Sequence, residues 1–114
     1  MLHKGSCHCG HIAFEAEGDL AEVISCNCSI CSRLGALRWF VPKDDFRLLT
    51  PEENLRVYTF NTHAVRHVFC PACGIGTYGE RMMPNGPMVA VNVRCIEGID
   101  PDSLTIRHYD GRSL

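Results

Sequence analysis

Cys70-Pro71-Ala72-Cys73-Gly74 reads as a two-thiolate turn. Pro71 pre-sets the bend, and Gly74 allows the dihedrals that aim backbone amides at the sulfurs. Cys7-His8-Cys9-Gly10, near the start of the chain, has the same form. Two such arms supply the four sulfurs that a structural Zn²⁺ takes in tetrahedral ligation. An ion shared by Cys7, Cys9, Cys70 and Cys73 ties the first strand to the second half of the chain. Binding at sites of this kind is folding free energy, about 10–16 kcal/mol in zinc-finger peptides. The pairing follows from counting ligands, and the alternative is two separate turns with buried thiols.

A third cluster, Cys26-x-Cys28-x-x-Cys31, is one ligand short of a closed site. A complete site reads as structure, whereas three ligands leave a position for water or substrate. Three thiolates make a zinc complex net negative, which blunts its power to acidify water. Activation of an incoming thiol therefore suits Cys26, Cys28 and Cys31 better than hydrolysis. The alternative is that Cys95 closes the site. Against it, Cys95 follows Val89, Val91 and Val93 at strand periodicity, so it is expected in the core as a small hydrophobe.

The chain has 114 residues, 46% of them hydrophobic and 21% charged, which fits one globular domain over residues 1–114 and excludes disorder. Eleven basic and 13 acidic residues leave a net charge of −2 with no basic block, so no nucleic-acid partner is expected. No apolar stretch approaches the roughly 20 residues of a membrane helix. The N-terminal Met-Leu-His-Lys-Gly-Ser-Cys lacks the apolar run of a signal peptide. A reducing cytoplasm is the expected location, and clustered cysteines there are metal ligands more often than disulfides.

Short strands broken by turn residues fill the rest, predicting a mainly β fold. Ile12–Glu17 alternates apolar and polar residues, and Gly18-Asp19 turns the chain into Val23–Cys26. Further strands are expected at Ala36–Val41, Phe46–Leu49, Ile75–Glu80 and Met88–Arg94, with Leu55–Phe60 pairing Val65–Phe69. One short helical turn is expected over Ser29–Leu34, begun by a serine cap and stopped by Gly35. His67, between Val65 and Phe69 on one strand face, reads first as a satisfied core histidine, with proton transfer as the sharper option. Arg33, just after the triplet, is a candidate for holding a substrate carboxylate, or else a solvated helix-end arginine. Trp39-Phe40 reads as core.

Gly5-Ser6-Cys7-His8-Cys9-Gly10, Cys26-Asn27-Cys28-Ser29-Ile30-Cys31, His67-Val68-Phe69-Cys70-Pro71-Ala72-Cys73-Gly74 and Val91-Asn92-Val93-Arg94-Cys95 together resemble the glutathione-dependent formaldehyde-activating enzymes, whose domain also occurs in centromere protein V. The resemblance implies a zinc-stabilised β-tent with Cys7, Cys9, Cys70 and Cys73 on a structural zinc. It implies a second zinc on Cys26, Cys28 and Cys31, the one that meets glutathione. The implied reaction, that of a carbon–sulfur lyase, joins glutathione to formaldehyde as S-hydroxymethylglutathione. Glutathione is then a co-substrate, and its carboxylates are the partners considered for Arg33. The same fold serves non-catalytic proteins, so a zinc-stabilised interaction module or a glutathione carrier is the alternative.

Overall fold

The computed structural model describes residues 1–113. Ten strands run in chain order: β1 (Leu2–Ser6), β2 (Ala13–Glu17), β3 (Glu22–Cys26), β4 (Arg38–Pro42), β5 (Phe46–Leu48), β6 (Arg56–Tyr58), β7 (Val65–Phe69), β8 (Gly76–Met83), β9 (Gly86–Asn92) and β10 (Thr105–Tyr109). One α-helix, α1 (Ser29–Leu34), follows β3. The mainly β reading with a single short helix is borne out.

Two sheets form, one of three strands in the order β1-β2-β5 and one of seven in the order β10-β3-β4-β9-β8-β7-β6. All pairs are antiparallel except β10 with β3. Three aromatic rings join the sheets. Phe14 of β2 stacks on Phe46 of β5 at 5.3 Å, and Phe46 lies 4.6 Å from Tyr78 of β8. Such pairs add about 0.5–1.5 kcal/mol each beyond the area they bury.

The seven-stranded sheet has two unlike faces because strand side chains alternate. Trp39 and Val41 of β4, Val89 and Val91 of β9, and Val68 of β7 enter the core between the sheets. Their neighbours Arg38, Phe40, Met88, Ala90 and His67 line an open cavity on the opposite face. Trp39-Phe40 therefore divides: Trp39 is buried edge-on against His3, whereas Phe40 is 48% exposed and walls the cavity. The expectation that both rings belong to the core is corrected by this alternation.

Two strands were not foreseen. In β10 all five residues are exposed, so no buried face imprints an alternating pattern, and backbone pairing with β3 holds it. In β1 the only buried residue is Gly5, which sits opposite Phe14 in the β1–β2 register. The Phe14 ring lies over that glycine. A Cβ at Gly5 would stand 2.6 Å from Phe14 Cζ and 2.9 Å from the Cys95 carbonyl oxygen. Other boundaries differ at strand ends. Ala36 and Leu37 precede β4, and β6 keeps only Arg56–Tyr58, although its expected pairing with β7 is present.

Gly5→Ala is expected to destabilise the fold by about 1–3 kcal/mol, the usual cost of overpacking. Urea unfolding followed by tryptophan fluorescence measures this as a lower midpoint at unchanged slope.

Candidate metal centres and the adjoining cavity

The two cysteine arms fold alike. Cys7 N–H donates to the Ile12 carbonyl (3.0 Å) and Gly10 N–H to the Cys7 carbonyl (3.3 Å). In the second arm, Cys70 N–H donates to the Ile75 carbonyl (3.0 Å) and Gly74 N–H to the Cys70 carbonyl (2.8 Å). Gly10 and Gly74 close these turns with φ of 83° and 80°, and open space surrounds both. Glycine is required there for backbone conformation, not for room. Amides converge on the sulfurs as the turns predict: Ile12 N–H on Cys7 Sγ (3.3 Å), and Ala72 and Cys73 N–H on Cys70 Sγ (3.3 and 3.4 Å).

Cys7, Cys9, Cys70 and Cys73 bring all four sulfurs within 4.8 Å of one another. Cys7 and Cys9 Sγ are 3.8 Å apart, and Cys9 and Cys70 Sγ 3.6 Å. A tetrahedron with Zn–S bonds of about 2.3 Å has edges of about 3.8 Å. A disulfide would need about 2.05 Å. The donor set fits a metal cage. Without a cation the shared protons divide the cage: Cys73 is brought down to about 6, first by a hydrogen bond from the Ile75 backbone, whereas Cys9 is pushed up to about 11.

Cys26 ends β3, Cys28 caps α1 and Cys31 lies in its first turn, and their sulfurs also fall within 4.8 Å of one another. The helix span matches expectation, but its N-cap is Cys28 with no side-chain cap hydrogen bond. The expected serine cap is thus corrected, because Ser29 is already helical. Gly35 ends the helix as read, donating its N–H to the Cys31 carbonyl (3.0 Å). Cys31 is pushed up to about 11, first by burial and then by its hydrogen bond with Cys28, with neighbouring thiolate charge adding to both. Three thiolates this close need a cation, so this donor set also fits a metal.

No fourth cysteine joins the triplet among the described residues. β9 ends at Asn92, and Cys95 lies in a 3₁₀ turn, Val93–Cys95, not on the strand continuation assumed from periodicity. Its half-buried side chain packs against the core, with the S–H 3.8 Å from the Gly76 carbonyl. What does close over the triplet comes from the C-terminal segment. Asn27 Nδ2 donates to Asp110 Oδ1, and Arg112 N–H donates to Asn27 Oδ1, each at 2.9 Å. Gly111 is thereby pressed onto the cysteines, where a Cβ would stand 2.6 Å from Cys26 Sγ.

Cys26, Cys28 and Cys31 line one part of a cavity of about 560 Å³ floored by the seven-stranded sheet. A volume of that order is usual for a small-molecule site. Two polar side chains stand out on this floor, and the first, Arg38, was not singled out from the sequence. Arg38 is 5% exposed, and its one hydrogen bond donates to the Ala90 carbonyl at 3.3 Å. Among the described residues Glu80 is the one carboxylate in the lining, and it is engaged by Lys43 (2.9 Å) and Arg66 (3.4 Å). Among the described residues Arg38 has no ion-pair partner, although an isolated buried charge is costly.

The second is His67, whose Nδ1 is buried without a hydrogen-bond partner. Burial, then the Arg38 charge, holds its imidazole below the ordinary histidine range. The reading of His67 as a satisfied core residue is corrected: its strand face is the cavity face. Arg33 lies outside this cavity, exposed, with Nη1 donating to the Ser29 carbonyl at 2.7 Å. It borders a neighbouring depression of about 270 Å³ with Ser29, Ile30, Tyr58 and Phe60.

Comparison with known proteins agrees with this architecture. A family model described as glutathione-dependent formaldehyde-activating enzyme matches residues 2–107. Among solved structures, a Rhodobacter sphaeroides protein is similar at 34% identity and a TM-score of 0.78, covering 91% of this chain and 99% of that one.

Elemental analysis of the reduced protein is expected to find about two zinc ions per chain. Cys70→Ser should lose folded protein, because it removes a ligand joining distant segments, whereas Cys28→Ser should stay folded and lose one equivalent. Gly111→Val should behave like Cys28→Ser, and Cys95→Ala should retain both ions. Equal unfolding in the Cys70 and Cys28 variants would contradict the division of roles.

Proposed function

The chain belongs to the glutathione-dependent formaldehyde-activating enzyme family, and we propose that it joins the sulfur of glutathione to formaldehyde or a related aldehyde over Cys26, Cys28 and Cys31. The observation that carries this reading is a three-thiol cluster opening into a cavity whose floor holds a carboxylate-free Arg38 and an unpartnered His67. Cys7, Cys9, Cys70 and Cys73 would hold a structural zinc, and the triplet a second. Zinc at the triplet would supply positive charge that favours the thiolate form of an incoming thiol.

The remaining work falls to side chains of this protein. Neutral His67 accepts the thiol proton, a role its lowered pKa permits at pH 7. Addition forms a carbon–sulfur bond, and the carbonyl π pair moves to oxygen. Arg38 faces the charge that develops there, from a site where water does not screen it. Returning the proton to that oxygen from His67 gives the S-hydroxymethyl product and restores the imidazole. The apolar lining keeps bulk water from competing. A cleft directly over the triplet supports an enzyme or carrier over an interaction module.

Exchange spectroscopy on a glutathione–formaldehyde mixture tests this against the fast uncatalysed background. Intact protein should accelerate interconversion, and Cys28→Ser should not. His67→Gln should lower the catalysed component about 100-fold at unchanged zinc content. With wild type, the catalysed rate should fall as pH drops, with its midpoint below the ordinary histidine range of about 6.5, because burial and the Arg38 charge disfavour the imidazolium. Glutathione binding with no acceleration would leave a carrier, and absence of thiol binding would favour the interaction module.

A further inference from the structure

The cavity is larger and more apolar than formaldehyde, one carbon and one oxygen, gives reason for. Its floor contains a cross-strand row, Phe40–Ala90–Gly79–His67. The two smallest side chains occupy the middle of that row, and the hollow follows from them. A Cβ at Gly79 would meet ordinary contacts at 3.5 Å, so the backbone there tolerates a side chain that the sequence omits. Ile24, Ile30, Val65, Met83 and Met88 surround the row. Methionine side chains adapt to a guest's shape and favour aromatic edges.

Glutathione does not account for these walls. At neutral pH it carries two carboxylates and an ammonium group, for which this lining offers Arg38 and Arg81 but which its apolar side chains do not serve. The neighbouring depression, with the Arg33 guanidinium and Ser29, suits its charged ends better, and it shares Ile30 and Phe60 with the main cavity. The apolar chamber is then left for the other reactant.

Three rings mark which kind. Tyr58 stacks on Phe60 at 5.7 Å and 21°, and Phe60 on His67 at 5.6 Å and 21°. This ladder ends at the chamber with the His67 ring, across the floor from Phe40. A flat apolar guest between them extends the stack, and offset stacking is worth about 0.5–1.5 kcal/mol per ring pair.

We propose that the chamber holds the body of an aromatic aldehyde, with glutathione's charged ends in the Arg33 depression and its sulfur at Cys26, Cys28 and Cys31. This rests on the thiol-addition reading above and names its carbonyl substrate. The step is an addition. The thiol sulfur bonds to the aldehyde carbon, the carbonyl π pair goes to oxygen, and that oxygen receives the proton the thiol gave up. The product is the hemithioacetal, and nothing is oxidised or reduced.

The zinc-loaded protein is tested with glutathione plus either phenylacetaldehyde or formaldehyde, by exchange spectroscopy, each against its own background. The expected acceleration is about 10-fold or more greater for phenylacetaldehyde, the scale of discrimination an apolar pocket provides. Ala90→Phe, which fills the chamber, should reduce that ratio about 10-fold at unchanged zinc content. A second readout needs no turnover: unreactive 2-phenylethanol should shift the Met83 and Met88 methyl signals in wild type and not in Ala90→Phe. Acceleration confined to formaldehyde, with no methyl shifts, overturns the aromatic assignment and leaves the family reaction standing. Acceleration of neither aldehyde overturns both.

Discussion

Cys9 and Cys70, 61 positions apart in the chain, bring their sulfurs to 3.6 Å, and most of the fold hangs on that closure. Joining ends across such a loop costs chain entropy that grows only slowly with length. Four neighbouring thiols have little attraction of their own to offset it, so a cation at the cage is the natural source of the closure energy. Once closed, the cage sets the end of β1 against the end of β7. Phe14 is then carried over Gly5 and against Tyr78, and the two sheets meet through that ring. Cysteine cage, turn and aromatic packing are consequently one connected unit.

The cavity side depends on the same sheet seen from behind. Strand alternation that sends Val89, Val91, Trp39 and Val41 inward obliges their neighbours to face out. In most sheets of this size such a face is solvated and polar. Here it carries Phe40, Ala90, Gly79 and His67 in register, hollow at the centre, with the triplet at one side. The core thus serves as a rigid backing for the cavity, and the site stands on strands more than on loops.

Arg38 and His67 are unfavourable to stability as they stand. Among the described residues, a buried guanidinium without a carboxylate and an imidazole nitrogen without a partner each carry a desolvation penalty. Both lie on the cavity floor, not in the core between the sheets. Unsatisfied polar groups gathered in a cavity of ligand size are what the proposed function draws on. Arg33, by contrast, is exposed and already spends a donor on Ser29 in its own helix.

The sequence by itself determined the mainly β class, the short helix between Ser29 and Gly35, and the division of seven cysteines into four and three. These are local signals: alternation, a glycine stop, and spacings that confine sulfurs to one turn. Tertiary structure decided that Cys95 stands apart from the triplet and that Gly111 closes over it. It also decided that Arg38 and His67, on strands separated by β8 and β9, share one floor. Strand periodicity tells which residues share a face but not what covers it, so Phe40 and His67 looked like core until the second sheet was seen to pack on the other side. Likewise β10, with every side chain exposed, left no alternating buried face to read, because it is held by backbone hydrogen bonds that any sequence can make and by the Arg107–Glu22 ion pair.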